Sequence, residues 1–514
     1  MEESHLRYKR MSPARFHTRS AVLTLLLALA ACGGDGGGGP PPTVSRTLAY
    51  VVTECHEDAR GGSASQRLLV VRGAAATVTV AEIPAYGRLP ALGLCPLFGT
   101  LGNGLASVFA LAFQRLGVSP DGSSVVFEVT FENSLLTGVG VRTPLTPEQE
   151  GIYHVRADGS GLRRLGHPSR EPAQRVIGIP TPDMGVPAYS NVFFSFSPDG
   201  RSIAFADRGP GPAGEDAAQV VILDLATGLR RPVTRLPDVS PAYRNNPALP
   251  SILSVGFKDD ATIGFFSRAN PPDPTGLIPD GLNPAGDLLP FTVKTDGTGL
   301  SGLPKAAVLP GSRIVPVFSI TQPATRGEVV ALGRAGTPVN PTGFFPPEFY
   351  ANGINEVFLL SSERALQLTN FRRTDTNGGA TDGQRVFFVA SADPFGTNPS
   401  ENCQIFSVDI LGTDLRQLTE FRAADHSAFG CLNGILGQPG CFVELFQLDR
   451  GAATVVFASN CDPLGTNPNG GEIFVMSLDG TELRQLTTTR GLVTAADGSV
   501  DVELPGPFVY AVPF

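Results

Sequence analysis

Three observations predict an all-β fold for this chain. A unit near the C-terminal end occurs twice, at Thr381–Thr419 and Arg450–Thr487, with matching residues 68 to 69 positions apart. Each copy is built of short runs of Val, Ile and Phe, such as Val386-Phe387-Phe388-Val389 and Ile473-Phe474-Val475-Met476. Gly, Pro, Asn and Asp stand between the runs, so the runs read as strands and the gaps as turns. In Ile473–Met476 both side-chain parities are apolar, which with a period of two means that both faces of the strand are buried. A small sheet that is dry on both faces needs a neighbour on each side. Radial repetition supplies one, and the expected architecture is a β-propeller of four-stranded antiparallel blades.

The strand sets follow in order along the chain. The first, near 48–112, rests on Thr47–Thr53, Gln66–Val71 and Ala76–Ala81. The second, near 113–190, opens on Leu116-Gly117-Val118 before Ser119-Pro120-Asp121-Gly122, and continues as Ile152-Tyr153-His154-Val155 before Asp158-Gly159. The third, near 191–250, repeats it as Phe194-Ser195-Phe196, Ser197-Pro198-Asp199-Gly200 and Ile203-Ala204-Phe205. The fourth, near 251–312, keeps the hydrophobic pattern at Val255–Phe266 without the turn proline. The fifth, near 313–372, retains Gly327–Leu332 and ends Leu366-Gln367-Leu368-Thr369. The sixth and seventh, near 380–430 and 442–490, are the duplicated unit, and the seventh holds Asp479-Gly480. Seven blades is the expected count, with six and eight also compatible. The apolar tail, Val502–Leu504 and Phe508–Val512, is expected to close the ring against a terminal blade, removing two exposed edges. Asp121, Asp158, Asp199 and Asp479, followed by Gly122, Gly159, Gly200 and Gly480, are read as turn residues.

Ser-Pro-Asp-Gly-x-x-Ile-Ala-Phe, then Ile-Tyr-x-x-x-x-Asp-Gly and x-Arg-x-Leu-Thr, resembles the WD40-like (PD40) repeat of TolB-type propellers. The best matches are 195–206, 404–419 and 472–487, and weaker ones cover most of 48–514. The resemblance implies a propeller and a role in an envelope complex. That family's namesake carries an α/β domain before its propeller, where this sequence has a linker of about fifteen residues.

The first 46 residues predict export. Arg7, Lys9, Arg10, Arg15 and Arg19 precede the apolar run Ala21–Ala31, the layout of a secretory signal over 1–31. The eleven residues of this run fall short of the roughly 20 that span a bilayer. Leu29-Ala30-Ala31-Cys32-Gly33 resembles the bacterial lipoprotein box, which implies cleavage before Cys32 and lipid on that cysteine. Residues 32–46, rich in Gly and then Pro, form a tether that is flexible and then stiff. The propeller occupies 47–514.

Without 1–31 the chain keeps 34 Lys/Arg against 46 Asp/Glu, a net charge of −12. An acidic chain without a basic run excludes nucleic acid as the expected partner. An envelope protein or peptide, or a glycan, is expected instead, with a monomeric chain attached to the membrane through its lipid on the periplasmic or outer surface. Six cysteines remain, Cys55, Cys95, Cys403, Cys431, Cys441 and Cys461. In an oxidising compartment they allow fifteen connectivities. Cys431–Cys441, Cys55–Cys95 and Cys403–Cys461 are the pairings considered.

No Gly-x-Ser-x-Gly elbow, Walker loop, HExxH or dinucleotide fingerprint occurs, and His56, His154, His167 and His426 fall at unrelated points of the repeat. A non-catalytic binding or scaffold module without a cofactor is the expectation. The alternative is an enzyme, polysaccharide lyase or hydrolase-like, acting on a cell-wall or extracellular polymer. Asp393, Asn398, Asp462 and Asn467 offer oxygens that Ca²⁺ would accept. Asp-Pro and Asn-Pro also start turns, and the turn reading is preferred.

Overall fold

The computed structural model describes residues 46–73, 76–83, 95, 112–130, 145–171, 193–239, 251–273, 280–284, 286, 289–302, 314–315, 329–334, 355–360, 365–371, 376–399, 402–421, 443–449, 453–466 and 471–510. Met1–Thr43 separates as one unit and Val44–Phe514 as the other. The signal sequence, Cys32 and nearly all of the tether therefore lie outside the described residues, as do Cys431, Cys441 and Asn467.

The described strands form one sheet of five strands and six sheets of four. The first sheet contains Thr47–Asp58, Gly61–Arg72 and Val78–Ile83, joined by Gly491–Thr494 and Val500–Tyr510 from the other end of the chain. The second comprises Phe113–Val118, Ser124–Val129, Gly151–Arg156 and Arg163–Gly166. The third comprises Ser195–Phe196, Ser202–Pro210, Asp216–Asp224 and Arg230–Pro232. The fourth and fifth begin at Ile252–Phe257 and Ile314–Val315. The sixth comprises Thr376–Thr381, Arg385–Ala390, Gln404–Asp409 and Arg416–Gln417. The seventh comprises Val443–Asp449, Thr454–Ser459, Glu472–Ser477 and Arg484–Gln485. Neighbouring strands in these pairings run antiparallel, as tight turns between consecutive strands require.

Alternating side chains of one strand enter different cores. Phe387 and Val389 pack with Val455, Phe457 and Phe474 of the seventh sheet, whereas Val386 and Phe388 pack with Val357 and Leu359 of the fifth. Val456, Ala458, Ile473 and Val475 of the seventh sheet in turn pack with Leu48, Tyr50, Val52 and Phe508 of the first. The first and second, second and third, and third and fourth sheets share cores in the same way. Six pairs of sheets thus share a core. Between the fourth and fifth sheets, the side chains of 329–334 lie outside the described residues. The first, second, third, sixth and seventh sheets are dry on both faces because their neighbours cover them, which is the propeller arrangement.

The inner strands are those that meet between sheets: the first strand of the second, third, fourth and seventh sheets, and the C-terminal Val500–Tyr510 in the first. Leu116 bridges in parallel to Phe193, and the Phe194 amide donates to the Leu116 carbonyl at 2.8 Å. The Phe257 amide donates to Ser195 Oγ at 3.0 Å. Gln447 Nε2 donates to the Phe508 carbonyl at 2.8 Å, and Gln447 Oε1 accepts from the Tyr510 amide at 3.0 Å. Gly117 permits the approach of the second and third sheets, because a Cβ there would stand 2.8 Å from the Phe194 oxygen.

The C-terminal tail closes the ring. Val500–Tyr510 pairs with Thr47–Asp58 from Glu57↔Val500 to Leu48↔Tyr510, with one irregularity. The first sheet departs from four strands because Gly491–Thr494 folds back on Val500–Glu503 and adds a fifth. Arg67 ties the seam: its Nη2 reaches Glu54 of the N-terminal strand and lies 3.3 Å from Glu503 of the C-terminal one. Glu54 and Glu503 stand directly opposite, so the guanidinium offsets a cross-strand repulsion.

Candidate functional site

Alternation of strand direction gives each blade two ends. The turn after the first strand and the turn before the outer strand lie at one end, and the loop between the second and third strands lies at the other. Asp121 and Asp199 occupy the first-strand turns. Asp121 Oδ1 accepts from Ser119 Oγ at 2.6 Å and from the Ser123 amide at 3.0 Å. Asp199 accepts in the same way from Ser197 Oγ at 2.6 Å and the Arg201 amide at 3.0 Å. Gly122 and Gly200 take the positive φ of these turns, 67° and 69°. Asp158 and Asp479 serve the outer turns, accepting from the Ser160 amide at 2.9 Å and the Thr481 amide at 3.0 Å. The Ser197 hydroxyl holds the Asp199 carboxyl below the usual carboxylate range, and the Ser160 and Thr481 hydroxyls do so for Asp158 and Asp479.

The outer turns also touch the preceding blade. A Cβ on Gly480 would stand 2.4 Å from the Leu418 carbonyl oxygen, and one on Gly228 2.8 Å from that of Leu165. Glycine is required there by close approach as well as by backbone conformation.

At the other end, the sixth and seventh blades carry the duplicated loops. The Asp393 carboxylate accepts from the Asn398 amide at 2.7 Å, and that of Asp462 from the Thr466 amide at 2.8 Å. Asn398 is buried. Its Nδ2 donates to the Ala392 and Asn402 carbonyls at 3.0 and 2.8 Å, and its Oδ1 accepts from the Asn402 amide at 3.1 Å. These atoms stitch the loop to itself. Thr397 and Thr466 donate to Gln417 Oε1 and Gln485 Oε1 of the outer strands at 3.0 and 2.7 Å, fixing both loops to their blades. The loop tips expose Phe395 and Leu464, at 50% and 42%. Among the described residues no group of three or more His, Cys, Asp or Glu side chains is placed to hold a metal ion.

Two features were not anticipated from the sequence. The first is a latch joining the third strand to the Leu-Thr that follows the outer strand. The Ile405 amide donates to Thr419 Oγ1 at 2.9 Å, Thr419 donates to Gln404 Oε1 at 2.8 Å, and Gln404 Oε1 accepts from the Phe421 amide at 2.9 Å. Gln219–Thr234, Glu356–Thr369 and Glu472–Thr487 repeat it. Gln or Glu in the third strand and Thr thirteen to fifteen residues later are the visible signal.

The second is a network of charges where the second and third blades meet, at the same end as the duplicated loops. Buried Arg115 pairs with buried Glu128 and donates through Nη2 to the Glu171 carbonyl at 2.7 Å. Asp207 Oδ2 lies 2.7 Å from Arg230 Nη1, and its Oδ1 accepts from the Arg170 amide at 2.8 Å. Arg208 lies 3.0 Å from Asp216 Oδ2 and 3.4 Å from Glu171 Oε2. Ser169 Oγ links the strands, donating to the Ala206 carbonyl at 2.8 Å and accepting from the Glu171 amide at 3.0 Å. Burial raises the Glu171 carboxyl pKa, against the pull of Arg208 and Arg115. Arg115 Nε is buried without a hydrogen-bond partner among the described residues. Loss of either partner of Arg115–Glu128 would leave a buried charge, at a cost of about 3–5 kcal/mol.

Cys55 and Cys95 form a disulfide with a Cα–Cα distance of 5.6 Å. Cys403 and Cys461 are buried and each is disulfide-bonded. No helix of the described residues is long and apolar enough to cross a membrane.

No protein-family model and no curated protein matches the chain. Solved structures do. The β-propeller domain of the Trilobed protease from Pyrococcus furiosus is 9% identical, with 86% of this chain and 99% of that one covered and a TM-score of 0.42. Oligogalacturonate lyase from Vibrio parahaemolyticus is 8% identical over 84% and 96%, with a TM-score of 0.42. A TolB from Agrobacterium tumefaciens is 12% identical over 89% and 99%, with a TM-score of 0.31. The chain spans about half, 54%, of the length of a prolyl endopeptidase that it also matches. The class itself rests on the chain's own sheets and cores: an all-β propeller with four-stranded antiparallel blades.

Proposed function

We propose that the seven sheets are seven blades and that the protein is an envelope lipoprotein, anchored through Cys32, which binds a protein, peptide or glycan without catalysing a reaction. The observation that supports this most is the stitching of the loop end. In the duplicated loops, Asp393, Asn398 and Asp462 accept or donate within their own loop, while Thr397 and Thr466 hold the loops to the outer strands. Such a surface is pre-organised and presents Phe395 and Leu464 outward, which suits recognition with little ordering cost. The test is a pull-down from membranes with the native protein and with Cys32→Ala. Membrane association and a specific partner for the native protein alone are expected. A native protein that neither sediments with membranes nor retains a partner would sink the proposal.

A second reading, an enzyme acting on an extracellular polymer, draws on one observation. Glu171 is a buried carboxyl with a raised pKa beside Arg208 and Arg115, and perturbed acids gather at catalytic sites. Depolymerisation of a cell-wall or extracellular polymer that disappears in Glu171→Gln at unchanged melting temperature would favour it.

A further inference from the structure

The place where the chain enters the propeller fixes which end faces a membrane. Thr47 opens the first strand, and its Oγ1 donates to the Gly122 carbonyl of a Ser-Pro-Asp-Gly turn at 2.7 Å. That turn adjoins the corresponding turn of the third blade, since a Cβ at Gly200 would lie 3.7 Å from Pro120 Cδ. The Arg46 carbonyl accepts from the Gly73 amide at 2.7 Å, at the turn that leads to the outer strand of the first blade. The chain therefore joins the domain at the end that carries Asp121 and Asp199. The duplicated loops and the arginine–carboxylate network lie at the opposite end.

We infer that the end bearing the Ser-Pro-Asp-Gly turns is turned toward the lipid surface, and that the opposite end, with Phe395, Leu464 and the network around Arg115, is turned away from it. The inference rests on the reading of Cys32 as a lipidated anchor. Fourteen residues, 33–46, separate Cys32 from Thr47. Fully extended they span about 50 Å. A Gly-rich chain of that length has a mean span of about 20 Å. A six-residue strand is itself about 20 Å long, so placing the loop end against the membrane would require a tether span of at least that length, where placing the turn end requires none. Tether entropy therefore favours one orientation.

The chain contains no Trp, which makes a single introduced Trp a clean fluorescence donor. Arg201, with its side chain 84% exposed, probes the turn end, and Phe395, 50% exposed, the loop end. Full-length Arg201→Trp and Phe395→Trp proteins, purified with their lipid, are placed in phosphatidylcholine vesicles containing a dansyl-headgroup lipid. Leu464→Trp and Ser123→Trp serve as second probes of the two ends, each used only if its melting curve matches the parent. With about 20 Å of strand between the ends, transfer from Arg201→Trp should exceed that from Phe395→Trp at least about two-fold. Equal or reversed transfer in protein whose N-terminal peptide mass shows lipid on Cys32 overturns the orientation while leaving the anchor intact. Absence of that lipid removes the anchor, and the orientation with it.

Discussion

Glu482 lies in the left-handed region, at φ 55°, in the turn Asp479-Gly480-Thr481-Glu482. The same position is Gly161 (φ 68°) in the second blade and Gly299 (φ 65°) in the fourth. Its side chain gains little for this strain, with Ser477 Oγ 3.4 Å from its carboxylate. Glu482→Gly should stabilise the protein by about 0.5–1 kcal/mol, the relieved strain less the added freedom of the unfolded chain, read as a denaturation midpoint. Asp414, at φ 48°, contrasts with it, since its carboxylate pairs with Arg385 at 2.8 Å and Arg416 at 2.6 Å. Asp414→Gly should therefore gain less or lose stability. Glu472 gives a second prediction. Burial raises its carboxyl pKa, opposed by hydrogen bonds from Thr487 and Thr489 and reinforced by Glu503. The folded state thus holds this proton more tightly than the unfolded chain does. Below the ordinary carboxylate range both states are protonated, and as pH rises through the raised folded value the buried carboxylate becomes a destabilising charge. Gln404 and Gln219 show that an amide fits the same latch. The stability of Glu472→Gln relative to the parent should increase from pH 4 to pH 8, and a difference flat with pH would refute this account.

Within a blade, the latch explains why Thr follows the outer strand. Its hydroxyl accepts from a third-strand amide and donates to the Gln or Glu beside it, so the short outer pairing of Arg416–Gln417 gains two further bonds. The turn before that strand joins blade to blade through glycine. Gly480→Ala would force a methyl to within 2.4 Å of the Leu418 oxygen and should cost at least about 2 kcal/mol, because backbone must move. Gly396→Ala, also at positive φ (73°) but with nothing within 4 Å, should cost about 1 kcal/mol of backbone strain alone. Chemical denaturation of the two variants checks the contrast, and equal losses would show that inter-blade approach is not the reason for Gly480.

At the level of the molecule, the ring is closed by pairing its two ends, and the Cys55–Cys95 bridge reinforces the blade where they meet. The bridge closes a loop of 40 residues, for which chain entropy gives about 4 kcal/mol. Cys55→Ser with Cys95→Ser should lower stability by roughly that amount, measured by thermal melting. If melting is unchanged, the first blade is held by the strand pairing alone. Both-face burial, the turn aspartates and the closing tail were legible beforehand because they depend on residues close in sequence, or on a period of two. The charge network was not legible. Arg115–Glu128 forms within the second blade and Asp207–Arg230 within the third, and Ser169 and Arg170 of the connecting segment join the two pairs only when these blades pack.

The sequence by itself determined the strands, their turns and the need for covered faces, since apolar parity and turn chemistry act over a few residues. Only the tertiary structure decided which core each face enters, how the two ends of the chain pair, and that Thr47 joins the domain beside the Ser-Pro-Asp-Gly turns. Those depend on contacts between residues tens to hundreds of positions apart, which no local pattern encodes.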